Sequence, residues 1–245
     1  MEKDYIKHFG IKLKNINLNI NRENYAIIDK KVHNKTPQFI IDSYKNEPDK
    51  RKKTYDDENC TIYSDSWCMK HQKDCLLNYD YNMKYFNSLD DKGFNKALNK
   101  LIKHSKRIKE VYDLNDYKDT VGVYILVLDK YKQIYIGQST SSIKTRIMSH
   151  WSKKKEFDRL IFGKVGNSIL SIDSFRALDT TRIYVYPTYD TYEVEEKLVN
   201  LMNAKYMLNR TAGGIGSVHN YTDDKSVALL SVAASRKERN FEEYK

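Results

Sequence analysis

Val121-Gly-Val-Tyr-Ile-Leu-Val-Leu-Asp-Lys-Tyr-Lys-Gln-Ile-Tyr-Ile-Gly137 is the stretch on which the reading of this chain turns. Gly122 to Leu128 is rich in β-formers, Asp129-Lys130 offers a turn, and Gln133 to Ile136 can return as a second strand. Downstream, Ser139, Thr140 and Ser141 are candidate N-caps for a helix with Ile143, Ile147 and Trp151 on one face. Phe157 to Phe162 and Arg182 to Tyr186 read as further strands. Tyr192 to Leu208 reads as one long helix with the stripe Val194, Leu198, Leu201 and Met202, ended by Gly213-Gly214. Upstream, Ala97, Leu98, Leu101, Ile102, Ile108 and Val111 recur at helical spacing and predict a helix from Phe94 to Tyr112. The polar stretch Asn46 to Asp65 reads as a solvated loop.

Composition narrows the class. Of 245 residues, 40% are hydrophobic and 31% charged, which describes a globular chain with enough length for a core. The longest strongly apolar run, Val121 to Leu128, is far short of the roughly 20 residues that a membrane helix needs. The N-terminus lacks the apolar core of a secretory signal, so a soluble, cytoplasmic protein without a membrane partner is expected. The net charge is +10, and both halves of the chain are basic, which favours a polyanionic partner. Seven of the nine glycines lie at or after Gly122, so the character of the chain changes near residue 116. Two units are expected: a mostly helical accessory, DNA-binding region over residues 1–115 and an α/β (α+β) domain over residues 116–245.

Gly122-Val123-Tyr124, ten residues, then Tyr135-Ile136-Gly137 resembles the paired signature of the GIY-YIG nucleases. The likeness continues through Arg146 and His150 on the next helix, Glu195 on a later one, and Leu208-Asn209 before Gly213-Gly214. It covers roughly residues 116–216. The resemblance implies a small antiparallel sheet flanked by helices and a metal-dependent endonuclease that hydrolyses DNA. It further implies a site built from Tyr124, Tyr135, Arg146, His150, Glu195 and Asn209, with Glu195 holding Mg²⁺ or Mn²⁺. A restriction-type or phage/mobile-element role in a bacterial or phage-infected cell follows by analogy, and a homodimer is left open. A non-catalytic nucleic-acid-binding module, or a structure-specific or RNA nuclease on the same scaffold, is the rival reading. Departures from the family pattern are Val123 in place of isoleucine, Gln138 where some relatives carry lysine, and thirteen residues between Glu195 and Asn209, slightly more than in some members, which counts against Asn209.

The residue types suit that chemistry. Phosphodiester hydrolysis requires a poised water and neutralisation of charge on the phosphoryl oxygens. Arg146 is a permanently charged planar donor four residues before His150, so the two share one helix side. A single carboxylate such as Glu195 suits Mg²⁺, which keeps its other positions for water and phosphate. Tyr124, Tyr135 and His150 all remain candidates for the proton acceptor. Duller readings exist: cross-strand aromatic packing for the tyrosines, and acids favouring a helix N-terminus for Glu193, Glu195 and Glu196. Glu195 is preferred because Leu198 and Val199 follow three and four residues on, as in the family's pattern. Separately, Cys60-x7-Cys68-x2-His71-x3-Cys75 has the ligand types of a structural Zn²⁺ site, although the seven-residue gap is irregular.

Overall fold

A computed structural model describes residues 5–210 and Phe241. The chain begins with a hairpin, β1 (Tyr5–His8) and β2 (Ile11–Lys14), followed by α1 (Arg22–Tyr25), α2 (Gln38–Ser43) and α3 (Pro48–Thr54). The long helix α4 (Asp65–Ser88) and α5 (Asp91–Ile102) come next, then β3 (Lys109–Glu110). The quoted hairpin forms β4 (Gly122–Leu128) and β5 (Gln133–Ser139), and α6 (Ile143–Ser152), β6 (Arg182–Pro187) and α7 (Thr191–Leu201) complete the described elements. The four-stranded sheet has the order β3-β6-β4-β5, antiparallel throughout. This is the mixed α/β arrangement expected, with two small antiparallel sheets and seven helices among the described residues.

All seven residues of β4 are buried, because β5 and β6 take its two edges and helices cover both faces. Val123, Ile125 and Val127 share one face with Ile134 and Ile136, against Phe94 and Leu98 of α5 and Leu198 of α7. Tyr124, Leu126 and Leu128 face the other way, towards Ile143 and Ile147 of α6. That second core also takes in Ile11, Tyr25 and Phe86, so hydrophobic contacts run across residue 115. Each buried Val, Ile or Leu is worth about 1.5–3 kcal/mol, which makes β4 the densest contribution to the fold. Hydroxyl and carboxylate caps start the main helices: Ser64 accepts from Trp67 N, Asp90 from Gly93 N, and Ser142 from Thr145 N.

Five local expectations are corrected. The cap of α6 is Ser142, while Ser139 Oγ accepts from the amides of Ser141 and Ser142. The predicted helix from Phe94 to Tyr112 stops at Ile102, because Lys109 and Glu110 instead pair with the open edge of β6. Lys106, Arg107 and Lys109 are therefore not on a helix. Arg107 donates to Pro187 O at 2.9 Å and lies over the Tyr186 ring, a packing role. Phe157 to Phe162 is no strand: Phe157–Arg159 is a 3-10 turn, and Phe157 and Leu160 are buried in the core that α4 and α6 share. The helix predicted to reach Leu208 ends at Leu201, and Leu208 N donates to Ile134 O at 2.8 Å along β5. Gly213-Gly214 lies outside the described residues. The Asn46–Asp65 stretch contains α3, started by Pro48 at its first position. Among the described residues no helix is long and apolar enough to cross a membrane.

Gly122 is the tightest point of the sheet. A Cβ there would come within 2.4 Å of Tyr186 O, a backbone atom held by the β4–β6 pairing. Gly122→Ala should lower the melting temperature by roughly 4–10 °C, whereas Gly166→Ala, with open space around it, should leave it unchanged. Thermal unfolding followed by circular dichroism reads both.

Candidate active site

Tyr124 and Tyr135 reach the same face of the sheet from adjacent strands, because Tyr124 is registered with Gly137 and Tyr135 with Leu126. Their ring centroids lie 6.3 Å apart. The glycine of the second tripeptide has a steric reason: a Cβ on Gly137 would meet Tyr124 Oη at 2.5 Å. Tyr124 can therefore lie across β5 only where β5 has no side chain.

Helix α6 brings Arg146 and His150 to these rings. Tyr124 Oη lies 2.8 Å from His150 Nε2, and His150 Nδ1 lies 2.6 Å from Asp173 Oδ1. An ionised carboxylate only accepts, so Nδ1 carries the proton and Nε2 accepts from the Tyr124 hydroxyl. Tyr135 packs edge-on against the same imidazole, centroids 5.2 Å apart. Burial, then the Tyr135 neighbour, hold the Tyr124 phenol well above the ordinary range, and Arg146 opposes them. Burial likewise raises Tyr135, again opposed by Arg146. Burial raises Asp173 too, but the hydrogen bond and charge of His150, with Lys155 and Arg146, outweigh it and keep the carboxylate below its usual range.

Glu195 approaches from α7. It is buried, whereas Glu193 and Glu196 on the same turn are exposed. Burial pushes its carboxyl up to about 7, against the opposing charge of Arg146 and a hydrogen bond from Gln138. Among the described residues its Oε2 is buried without a hydrogen-bond partner. Together with Tyr124, Tyr135 and Arg146, it lines a cleft of about 220 Å³. An orphaned carboxylate oxygen in a polar cleft that also holds a guanidinium fits a hard divalent cation bound through one carboxylate.

Asn209 lines the same cleft but is engaged elsewhere. Its side chain accepts from Ile136 N at 3.1 Å and donates to Ile136 O at 2.7 Å, clamping the chain after α7 to the edge of β5. The structure thus brings five of the six expected residues to one cleft, with His150 behind Tyr124. Asp173, Gln138 and Arg210 are additions. Gln138 had a signal in its position directly after Gly137, whereas Asp173 lies in irregular chain with no motif around it. Arg210 donates from Nε to Ile169 O and from Nη2 to Leu160 O, tying the loop that leads to Asp173. The cysteine cluster is less assembled. His71 Nε2 lies 3.4 Å from Cys75 Sγ and 2.8 Å from Phe157 O, and among the described residues no group of three or more such ligands is gathered. No family model, curated protein or solved structure matches the chain.

The raised carboxyl of Glu195 has a stability consequence. Between the ordinary glutamate value of 4.5 and about 7, the folded chain holds this proton more tightly than the unfolded chain does. Metal-free protein should therefore lose stability as pH rises through that window and remain penalised above it. In chelator, Glu195→Gln should be more stable than the parent at pH 8, by up to about 3 kcal/mol, with the difference vanishing below about pH 4.5. Urea unfolding at the two pH values measures it.

Proposed function

We propose that the chain is a metal-dependent DNA endonuclease of the GIY-YIG type, acting in restriction or in phage/mobile-element cleavage. The observation that carries this reading is the polar cleft in which Glu195, Arg146 and Tyr124 meet, with His150 and Asp173 aligned behind the phenol. A basic chain of net charge +10 supplies the electrostatic attraction for a polyanion.

Arg146 is set to bind non-bridging oxygens of the scissile phosphate and to stabilise charge that grows there. The buried Tyr124 phenol stays protonated at rest, so it acts as a proton carrier. As its oxygen takes a proton from the attacking water, its own proton passes to His150 Nε2. Asp173 holds the imidazole in the receptive tautomer and stabilises the imidazolium that forms. Tyr135 walls the phosphate on one side. Glu195 is the residue that would hold Mg²⁺ or Mn²⁺, and a bound cation would neutralise phosphoryl charge and assist the leaving oxygen.

Incubation with phage genomic or plasmid DNA tests the proposal. Cleavage should require Mg²⁺ or Mn²⁺ and cease with chelator. Tyr124→Phe and Glu195→Ala should each lower it by about 10²–10⁴-fold while leaving DNA binding largely intact. Asp173→Asn, as a change in a positioning residue, should lower turnover less and shift the lower limb of the pH–rate profile. Full cleavage by Tyr124→Phe would refute the proton route. DNA binding with no cleavage under any divalent cation would favour the non-catalytic module.

A second prediction separates the clamp from the chemistry. Asn209→Ala should lower the melting temperature by removing two hydrogen bonds to Ile136, each worth about 1 kcal/mol. Asn209→Asp retains the acceptor but sets a carboxylate oxygen against Ile136 O, so it should lower the melting temperature at least as far as Asn209→Ala does.

A further inference from the structure

A groove that shares no lining residue with the cleft lies between α6 and the chain around the end of β2. Its free volume is about 380 Å³, which falls among small-molecule sites, at roughly 300–1,000 Å³. Leu13, Ile16 and Leu18 line it from the N-terminal segment, and Met148 and Trp151 from α6. Backbone geometry fixes the N-terminal wall. Asn17 turns the chain with a left-handed φ of 51°, and Leu178 N donates to Leu18 O at 2.9 Å. The groove is therefore formed before any ligand arrives, and its lining is mainly aliphatic. Ile16, 69% exposed, carries that apolar surface out to the rim.

The charges around it have one sign. Each of the three segments that line the groove contributes a cation, Lys14, Lys154 and Arg176, and no acidic residue lines it. Among the described residues none of the three has a carboxylate partner within 4 Å. Lys14 and Lys154 are exposed and can turn towards a head group. An aliphatic floor among cations is complementary to an amphipathic acid. It does not suit a nucleobase. Trp151 is 8% exposed, packs on His8 and Phe9 at ring-centroid distances of 5.5 and 6.4 Å, and donates Nε1 to Thr180 Oγ1 at 3.1 Å. That leaves a base neither a stacking face nor a ring donor. A peptide would bring amides in need of partners, and Asn17 and Ser152 are the only uncharged side chains with a polar atom to offer among the other lining residues.

We propose that this groove binds a medium-chain aliphatic carboxylate, with its chain against Leu13, Leu18 and Met148 and its carboxylate among Lys14, Lys154 and Arg176. Such a ligand uses both the apolar and the cationic part of the groove, whereas a metal ion or a bare phosphate would use at most one. The assignment does not rest on the nuclease reading.

Isothermal titration calorimetry of the full chain with sodium decanoate at pH 7 is the test. Saturable binding with a Kd of roughly 10–100 µM is expected. Octanoate, two methylenes shorter, should bind about tenfold more weakly, since each buried methylene adds to the transfer free energy. Decyltrimethylammonium, with the same chain and the opposite charge, should also bind about tenfold more weakly or worse. Variants at exposed positions locate the site without disturbing the core. Ile16→Asp should lower decanoate affinity by about tenfold, by placing a like charge on the apolar rim. Lys14→Glu/Lys154→Glu should remove the preference for decanoate over decyltrimethylammonium. The proposal is overturned by no saturable binding, by equal affinity for the two head groups in the parent, or by unchanged decanoate affinity in either variant. None of these measurements needs DNA or cleavage, so they stand or fall separately from the nuclease reading.

Discussion

Strand β4 has a partner on each edge and a packed layer on each face, and this double enclosure is the constraint from which the rest of the molecule follows. Seven consecutive buried residues satisfy their backbone groups through β5 and β6 and their side chains through two cores. Tyr124 stands in the middle of this strand, wholly buried. A phenol at such a place must find a partner for its hydroxyl, and it finds His150, with the charge of Arg146 nearby. The same burial that makes Tyr124 a core residue therefore creates the polar cluster beside it. Core and candidate site are one construction.

The chain between α6 and β6 shows a different solution to the same problem. It has little regular structure, so its carbonyls are satisfied by buried side chains. Asn78 donates to Val165 O and Ser168 O, and Asn82 to Ser168 O, all from α4. Asp179 accepts from Ile20 N, Arg176 N and the Tyr131 hydroxyl, joining the N-terminal region to the hairpin. These ties fix the stretch that carries Asp173 against His150. The N-terminal region is thus a scaffold for the site as well as a covering layer, which explains why its core merges with that of the sheet.

Arg210 and Asn209 close the opposite side. Both belong to the short segment after α7, and both use side chains to hold backbone: Asn209 on Ile136, Arg210 on Ile169 and Leu160. Glu195 is thereby enclosed between α7, Gln138 and this segment. Its enclosure raises its carboxyl and leaves one oxygen without a partner among the described residues. A small cation bound there would relieve both the unpaired oxygen and the burial of charge.

What the sequence by itself determined was the central hairpin and the residues that gather around it. A seven-residue β-rich run, a turn and a second run leave few alternatives, and Tyr124, Tyr135, Arg146 and Glu195 all meet in the cleft they frame. Local periodicity also located α5, α6 and α7, because amphipathic spacing is a property of adjacent residues. Their ends were decided by tertiary structure. Helix α5 stops at Ile102 because the open edge of β6 offers Lys109 and Glu110 a ladder, and α7 stops at Leu201 because Leu208 and Asn209 bond to β5. Asp173 joined His150 across 23 residues of sequence. That pairing has no spacing to read, since it depends on how the irregular chain between α6 and β6 packs against α4 and the N-terminal region.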